Sequence, residues 1–213
     1  MLILWQRTGD ESRVNRRPLG RTALEVSEIG FGGWQLCNDD SWGGMDARTA
    51  HRLVHAAVDG GINLFDTAPN YAGAQSERVL GDALQGKRDK VVLVSKFGHT
   101  PDGRTEFTVK GFQESLEGSL GRLRTDYLDV LLLHNPPGEM YRGTDPLWGA
   151  LEEARLQGKI RHYGASLDFA AEVEECLSNT KSSVLEVLFY VFHQDVRRAF
   201  AHVRQKGAGT IVK

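Results

Sequence analysis

The sequence predicts an α/β fold: a (β/α)8 TIM-type barrel, incomplete at about seven strands, with an N-terminal β-hairpin as a plug. Three observations lead there. A short apolar run, a turn, an amphipathic helix and a glycine recur along the chain. Most of the apolar runs are continuous rather than alternating, as in strands covered on both faces of a parallel sheet. Polar residues stand at the C-terminal ends of several different strands, at Asp66, Lys96, His134 and Ser166, where barrels build their sites. The rival fold, an open dinucleotide-binding sheet, should show GxGxxG after its first strand. Here Gly30-Phe31-Gly32-Gly33-Trp34-Gln35 lacks the third glycine and no helix follows at once.

The elements follow in order. Residues 1–14 read as a loose leader, whose apolar run Met1–Trp5 is too short for a signal core or a membrane span and is ended by Arg7. Residues 15–213 read as one barrel domain lacking its C-terminal part. Within Arg17–Glu28, Gly20-Arg21 makes a turn between two β-prone stretches, the hairpin. The strands are Ile29–Trp34, Ile62–Thr67, Val91–Phe97, Leu128–His134, Ile160–Ser166, Val184–Tyr190 and Thr210–Lys213. Asp46 caps a first helix with Ala50, Leu53, Val54, Ala57 and Val58 on one face, ended by Gly60-Gly61. Ser76 caps the next, and Phe112, Leu116, Leu120 and Leu123 stripe a third. Asp145-Pro146 is an N-cap followed by proline at the first helical position. Asp168 and Asp195 cap two more. Gly86, Gly158 and Gly207 each precede a strand, where a helix reverses through a left-handed residue.

Composition narrows the class. A net charge of −2 over 213 residues gives no electrostatic reason to expect nucleic acid or an anionic membrane as partner. The two cysteines, Cys37 and Cys176, form no CxxC pair and no disulfide framework, which fits a reducing cytoplasm. His51 and His55 have the spacing of a zinc pair, but Arg52 replaces the glutamate of HExxH and no third ligand is evident, so a solvated helix face is the better reading. Trp34, Trp42 and Trp148 suit a core role.

The rim residues suggest a chemistry. Reducing a carbonyl by hydride needs an acid that protonates the oxygen. Tyrosine, with an ordinary pKa of about 10, is a weak acid, which a nearby ammonium strengthens and a carboxylate holds in place. Asp66 ends one strand, Tyr71 lies in the following loop, Lys96 ends the next strand and His134 the one after. Alone, each has a plain explanation as a cap, a solvated strand end or a turn residue. Their mutual pairing removes the cost of placing them together.

GINLFDTAPNYAGAQSERVLGDAL, VLVSKFG, YLDVLLLHNPP and RPLGRTALEVSEIGFGGW resemble, in order and spacing, the motifs of the aldo-keto reductase family, from about Arg17 to the last residue. The resemblance implies an NADP(H)-dependent oxidoreductase that converts an aldehyde or ketone to an alcohol. Tyr71 matches the general acid, Lys96 and Asp66 its tuning pair, and His134 the carbonyl-orienting histidine, with Asn135 beside it at the substrate. Gly32, Gly33 and Trp34 match the first loop, at the nicotinamide and the substrate mouth. Ser166 matches the serine that bonds the carboxamide, although Leu167-Asp168 follows where asparagine is common. Glu186 falls where many members have glutamine, and Phe189 where many have a tyrosine that stacks on nicotinamide. The register there is open by one, so Tyr190 is the alternative, and Phe189 and Phe192 are equally plain core residues.

The chain stops inside a seventh strand. The family's remaining part would carry most contacts to the cofactor's pyrophosphate, so weak NADPH binding by this chain is expected, with self-association through unpaired barrel edges. The alternative function is a non-catalytic binding or regulatory relative. A different barrel enzyme would need a phosphate or metal site, which the sequence does not offer.

Overall fold

The structure, a computed structural model, describes residues 14–37 and 43–213. Residues 1–13 of the expected leader, and Trp42, lie outside that range. The hairpin pairs β1 (Arg16–Pro18) with β2 (Glu25–Ser27) antiparallel. Seven parallel strands then form one sheet: β3 (Phe31–Gly32), β4 (Leu64–Asp66), β5 (Val92–Phe97), β6 (Leu128–His134), β7 (Ile160–Leu167), β8 (Val184–Val187) and β9 (Gly209–Val212). Their order in the sheet is their order in the chain. A doubly wound sheet reverses direction at a switch point; this one does not, and it is an incomplete (β/α)8 fold.

Between the strands lie α1 (Ala47–Asp59), α2 (Gln75–Ala83), α3 (Val109–Leu123), α4 (Pro146–Leu156), α5 (Ala170–Asn179) and α6 (Phe200–Lys206). Their starts are set by side chains that take up free N–H groups. Thr49 N–H donates to Asp46 Oδ1 at 2.9 Å, Gly111 N–H to Thr108 Oγ1 at 3.1 Å and Leu147 N–H to Asp145 Oδ1 at 2.8 Å. Gly86, Gly158 and Gly207 have the expected positive φ. Among the described residues no helix is long and apolar enough to cross a membrane.

The sheet separates two apolar cores. Leu64, Val92, Val94, Val130, Leu132, Val184 and Ile211 gather on one face with Leu19 and Val26 of the hairpin. Phe65, Leu93, Leu131, Leu133, Leu185 and Val187, which alternate with them, pack under the helices with Val54, Leu80, Phe112, Leu151 and Val173. The hairpin closes the end where the strands begin. Ser27 N–H donates to Asn63 Oδ1 at 2.6 Å, and Arg21 N–H to Gly207 O at 2.9 Å, just before β9.

Five expectations need correction. The first strand shrinks to Phe31–Gly32, because Ile29 is 62% exposed and Gly33 already turns away. The sixth ends at Val187, and Tyr190 instead pairs with His193 in a turn. Ser76 does not cap α2: the N-cap is Ala74, in left-handed backbone, and Ser76 is buried one residue inside the helix. Asp168 caps nothing, since Glu172 takes up the N–H groups of Asp168 and Phe169. Asp195 caps at a distance: its Oδ2 accepts from Ala170 N–H, the start of α5, at 2.8 Å.

Glu77 ties β5, α2 and α3 together. It is fully buried, accepts from Ser95 Oγ at 2.8 Å and pairs with Arg122 Nε at 2.7 Å. Arg122→Leu would leave that carboxylate without its cation, so chemical denaturation should register a loss of about 3–5 kcal/mol.

Candidate active site

Each rim residue is delivered by the two-residue period of a strand. Leu64, Val94, Leu132 and Val184 belong to the inner core, and two positions on stand Asp66, Lys96, His134 and Glu186. The registers His134↔Ser166 and Ser166↔Glu186 bring the later strands level. A cavity of about 700 Å³ runs from the hairpin to this rim, and Trp34, Asp66, Asn70, Tyr71, His134 and Glu186 are among its lining residues.

Lys96 is the centre. It is 1% exposed, and its Nζ lies 2.5 and 2.6 Å from the two oxygens of Asp66 and 3.4 Å from Glu186 Oε2. It also donates to Thr67 O at 3.3 Å. The same Nζ is 5.1 Å from the centre of the Tyr71 ring, which meets His134 edge-on at 6.0 Å between centroids. The structure thus gathers Asp66, Tyr71, Lys96, His134 and Glu186.

The charges respond to burial. Burial alone would push the Lys96 ammonium down, but Asp66 and Glu186 outweigh it and hold it above the usual lysine range. Burial pushes the Asp66 carboxyl up, to about 7, against the pull of Lys96 and with the help of Glu186. Burial, then the charge of Lys96, pushes His134 down to about 3, so its imidazole is neutral. For Tyr71 the sequence expectation is reversed. Lys96 does draw the phenol down, but burial is the larger effect and leaves it raised, to about 12.

The first loop is built by close approach. Gly33 N–H donates to Asp66 O at 2.7 Å, and a Cβ on Gly33 would come within 2.9 Å of that oxygen and 2.6 Å of Ser76 Oγ. Ser76 in turn donates to Gly33 O at 2.8 Å and shares a 2.8 Å hydrogen bond with Thr67. Gly32 and Trp34 border the cavity at this point.

Other predicted residues have different company. Phe189 packs against Phe200 at 5.4 Å on the helix side of the sheet, and Tyr190 is 53% exposed and stacked on His193. Neither lines the cavity. Asn135, in left-handed backbone, donates through Nδ2 to Asp168 Oδ2 at 3.3 Å. Lys213 donates to Ser166 Oγ at 2.7 Å and to Asn135 Oδ1 at 3.0 Å, and pairs with Asp168 at 3.0 Å. Sequence reasoning missed Lys213, Asn70 and His99, whose ring meets His134 at 4.9 Å. The signals were there: Lys213 follows Ile211 by two, and His99 comes just after β5.

Asn70 Oδ1, His134 Nδ1 and Glu186 Oε2 are buried without a hydrogen-bond partner among the described residues, and all three side chains line the cavity. Buried polar atoms left in that state mark a place for a polar ligand. An orienting imidazole, a carboxylate that can accept from an amide and a protonated phenol together suit a carbonyl compound and a nicotinamide ring.

Comparison with known proteins gives the family. The model of the Aldo/keto reductase family matches residues 28–213. Aldo-keto reductase YhdN of Bacillus subtilis is 37% identical over 163 residues, which are 68% of this chain and 44% of that protein. L-galactose dehydrogenase of Arabidopsis thaliana is 30% identical over 94% of this chain and 65% of its own length. The holo form of aldo-keto reductase AKR11C1 from Bacillus halodurans superposes with a TM-score of 0.84 at 28% identity, covering 94% of this chain and 66% of that one. The chain spans about half to two thirds of the length of these relatives.

Proposed function

The chain belongs to the aldo/keto reductase family, and from that premise we propose that its site reduces an aldehyde or ketone to an alcohol with hydride from NADPH, Tyr71 giving the proton. The observation that carries this reading is the placing of one buried ammonium against both the Asp66 carboxylate, at 2.5 Å, and the Tyr71 ring, at 5.1 Å, with neutral His134 across from the phenol. The nicotinamide cofactor supplies the hydride when bound. Gly32, Gly33, Trp34, Asp66, Ser166 and Glu186 are the residues we assign to holding it; Phe189, packed against Phe200 on the helix side, is not in place to do so.

The protein's own groups divide the remaining work. His134 is neutral and can donate to a carbonyl oxygen, fixing the oxygen near the phenol. Tyr71 holds its proton until negative charge grows on that oxygen, because a phenol raised to about 12 stays protonated at neutral pH. Lys96 then faces the nascent phenolate and stabilises it, while Asp66 keeps the ammonium from turning away. Trp34 and Asn135 border the substrate. A cytoplasmic setting fits this chemistry, with a small carbonyl compound as partner.

The test is NADPH oxidation by the purified chain in the presence of a nitro-substituted benzaldehyde, followed by absorbance; no turnover and no NADPH binding would overturn the reading. The raised phenol adds a signed expectation. Alcohol oxidation needs the phenolate as base, so its rate should climb about tenfold per pH unit from neutral into alkaline conditions. Reduction needs the protonated phenol and should be insensitive to Tyr71 over that range. Initial rates in the two directions check this.

A further inference from the structure

Glu186 has no task in the proton transfer just described, yet it is 3% exposed in the middle of the site. It stands two positions beyond Val184 on β8, in register with Ser166 on one side and Ile211 on the other. Its Oε2 faces Lys96 Nζ at 3.4 Å and accepts no hydrogen bond among the described residues. Lys96 is already held by both oxygens of Asp66 at 2.5 and 2.6 Å. Two carboxylates therefore share one ammonium. The other ammonium on this rim, Lys213, is set against Asp168 at 3.0 Å and reaches Asp66 only as the smallest of the named influences on it. His134 is neutral. At this point of the pocket the carboxyl groups outnumber the ammonium two to one, and the imbalance is relieved either by a proton on Asp66 or by a cation from outside, in a setting where charge is poorly shielded.

We propose that Glu186 is a charge-selecting residue that makes the site bind the cationic, oxidised nicotinamide in preference to the neutral, reduced one. The inference rests on the reductase reading and adds to it. In the reaction, the ring's carbon–hydrogen bond breaks with both electrons leaving as hydride, a carbon–hydrogen bond forms at the carbonyl carbon, and the carbonyl oxygen takes the Tyr71 proton. The ring thereby passes from neutral to singly positive. A fixed buried carboxylate is stronger company for the product ring than for the starting one, so Glu186 pulls the equilibrium on the protein toward carbonyl reduction. The imbalance also shows in Asp66, whose carboxyl Glu186 helps to push up.

The test compares dissociation constants for NADP⁺ and NADPH, titrated by quenching of intrinsic fluorescence, in the wild type, Glu186→Gln, Glu186→Met and Glu186→Asp. Removing the charge should weaken NADP⁺ relative to NADPH by about tenfold, the size expected of a unit charge acting across a partly shielded interior. Glu186→Met is a second neutral replacement in case glutamine disturbs the fold, and Glu186→Asp, which keeps the charge, should hold the wild-type ratio. If the neutral variants bind the two forms with an unchanged ratio, this inference fails and the reductase reading stands. If the wild type binds neither form, the reductase reading fails and takes this inference with it.

Discussion

Tyr71→Phe should lower the turnover number for carbonyl reduction by about a hundredfold to ten-thousandfold, the range removed with a general acid, while leaving NADPH binding within a factor of about two. The substitution deletes one oxygen and keeps the ring. The edge contact with His134 at 6.0 Å and the approach of Lys96 at 5.1 Å both involve that ring, so the surroundings have little reason to shift. The carbonyl oxygen would keep His134 as a donor. That imidazole is neutral, because burial and Lys96 push it down to about 3, so donating its proton outright would create an anion at high cost. Single-turnover kinetics, with cofactor titration as the control, check the expectation. A variant that keeps wild-type turnover would remove Tyr71 from the reaction and leave its proton to another group.

Lys96→Met is the second large effect, and it falls on stability as much as on rate. Methionine fills a similar volume but leaves Asp66 and Glu186 facing each other without a cation. Stranding a buried charge in this way costs about 3–5 kcal/mol. The pH dependence has a definite sign. Burial already pushes the Asp66 carboxyl up while Lys96 opposes it. The folded-state value, already about 7 in the wild type against an unfolded value of about 4, rises further in the variant, where that opposition is gone. A group raised on folding favours the folded state at low pH and loses that advantage as pH rises through its folded value. The deficit relative to wild type should therefore be full only at alkaline pH, above the variant's folded value, and shrink as pH falls through that value toward about 7, where the wild-type carboxyl itself takes up a proton; denaturation midpoints across a pH series would show this. A deficit independent of pH would mean that lost packing, not stranded charge, is the cause.

Much of this architecture could be read before any coordinates. The step from an inner-core residue to a polar one two positions on occurs at Leu64–Asp66, Val94–Lys96, Leu132–His134 and Val184–Glu186, and a strand turns that spacing into one rim. The helical stripes and the Asp46 and Asp145 caps depend on neighbours a few residues away, so local rules suffice for them. What escaped depends on distant partners. Ser76 has the sequence context of a cap, yet its hydroxyl serves Gly33, far away in the chain, because α2 begins one residue earlier. Asp195 looks like the cap of its own segment and instead serves α5. The strand containing Phe189 ends early, so its ring turns to Phe200 rather than to the cavity. The phenol of Tyr71 was misjudged for another reason: sequence shows that an ammonium is near but not how much water has been removed, and here the dryness of the site is the stronger influence.

The strictly consecutive strand order has a bearing on assembly. Each parallel pair joins segments one strand–helix unit apart, so the sheet can grow by adding the next unit to the last, at a modest entropic cost each time. The hydrogen bond from Arg21 to Gly207 is of another kind, since it joins two ends of the described chain. It has nothing to close upon until β9 is in place. The hairpin therefore precedes every strand of the parallel sheet in the chain yet finds its last described neighbour only with β9, a latch on the assembled strands and not a nucleus for them.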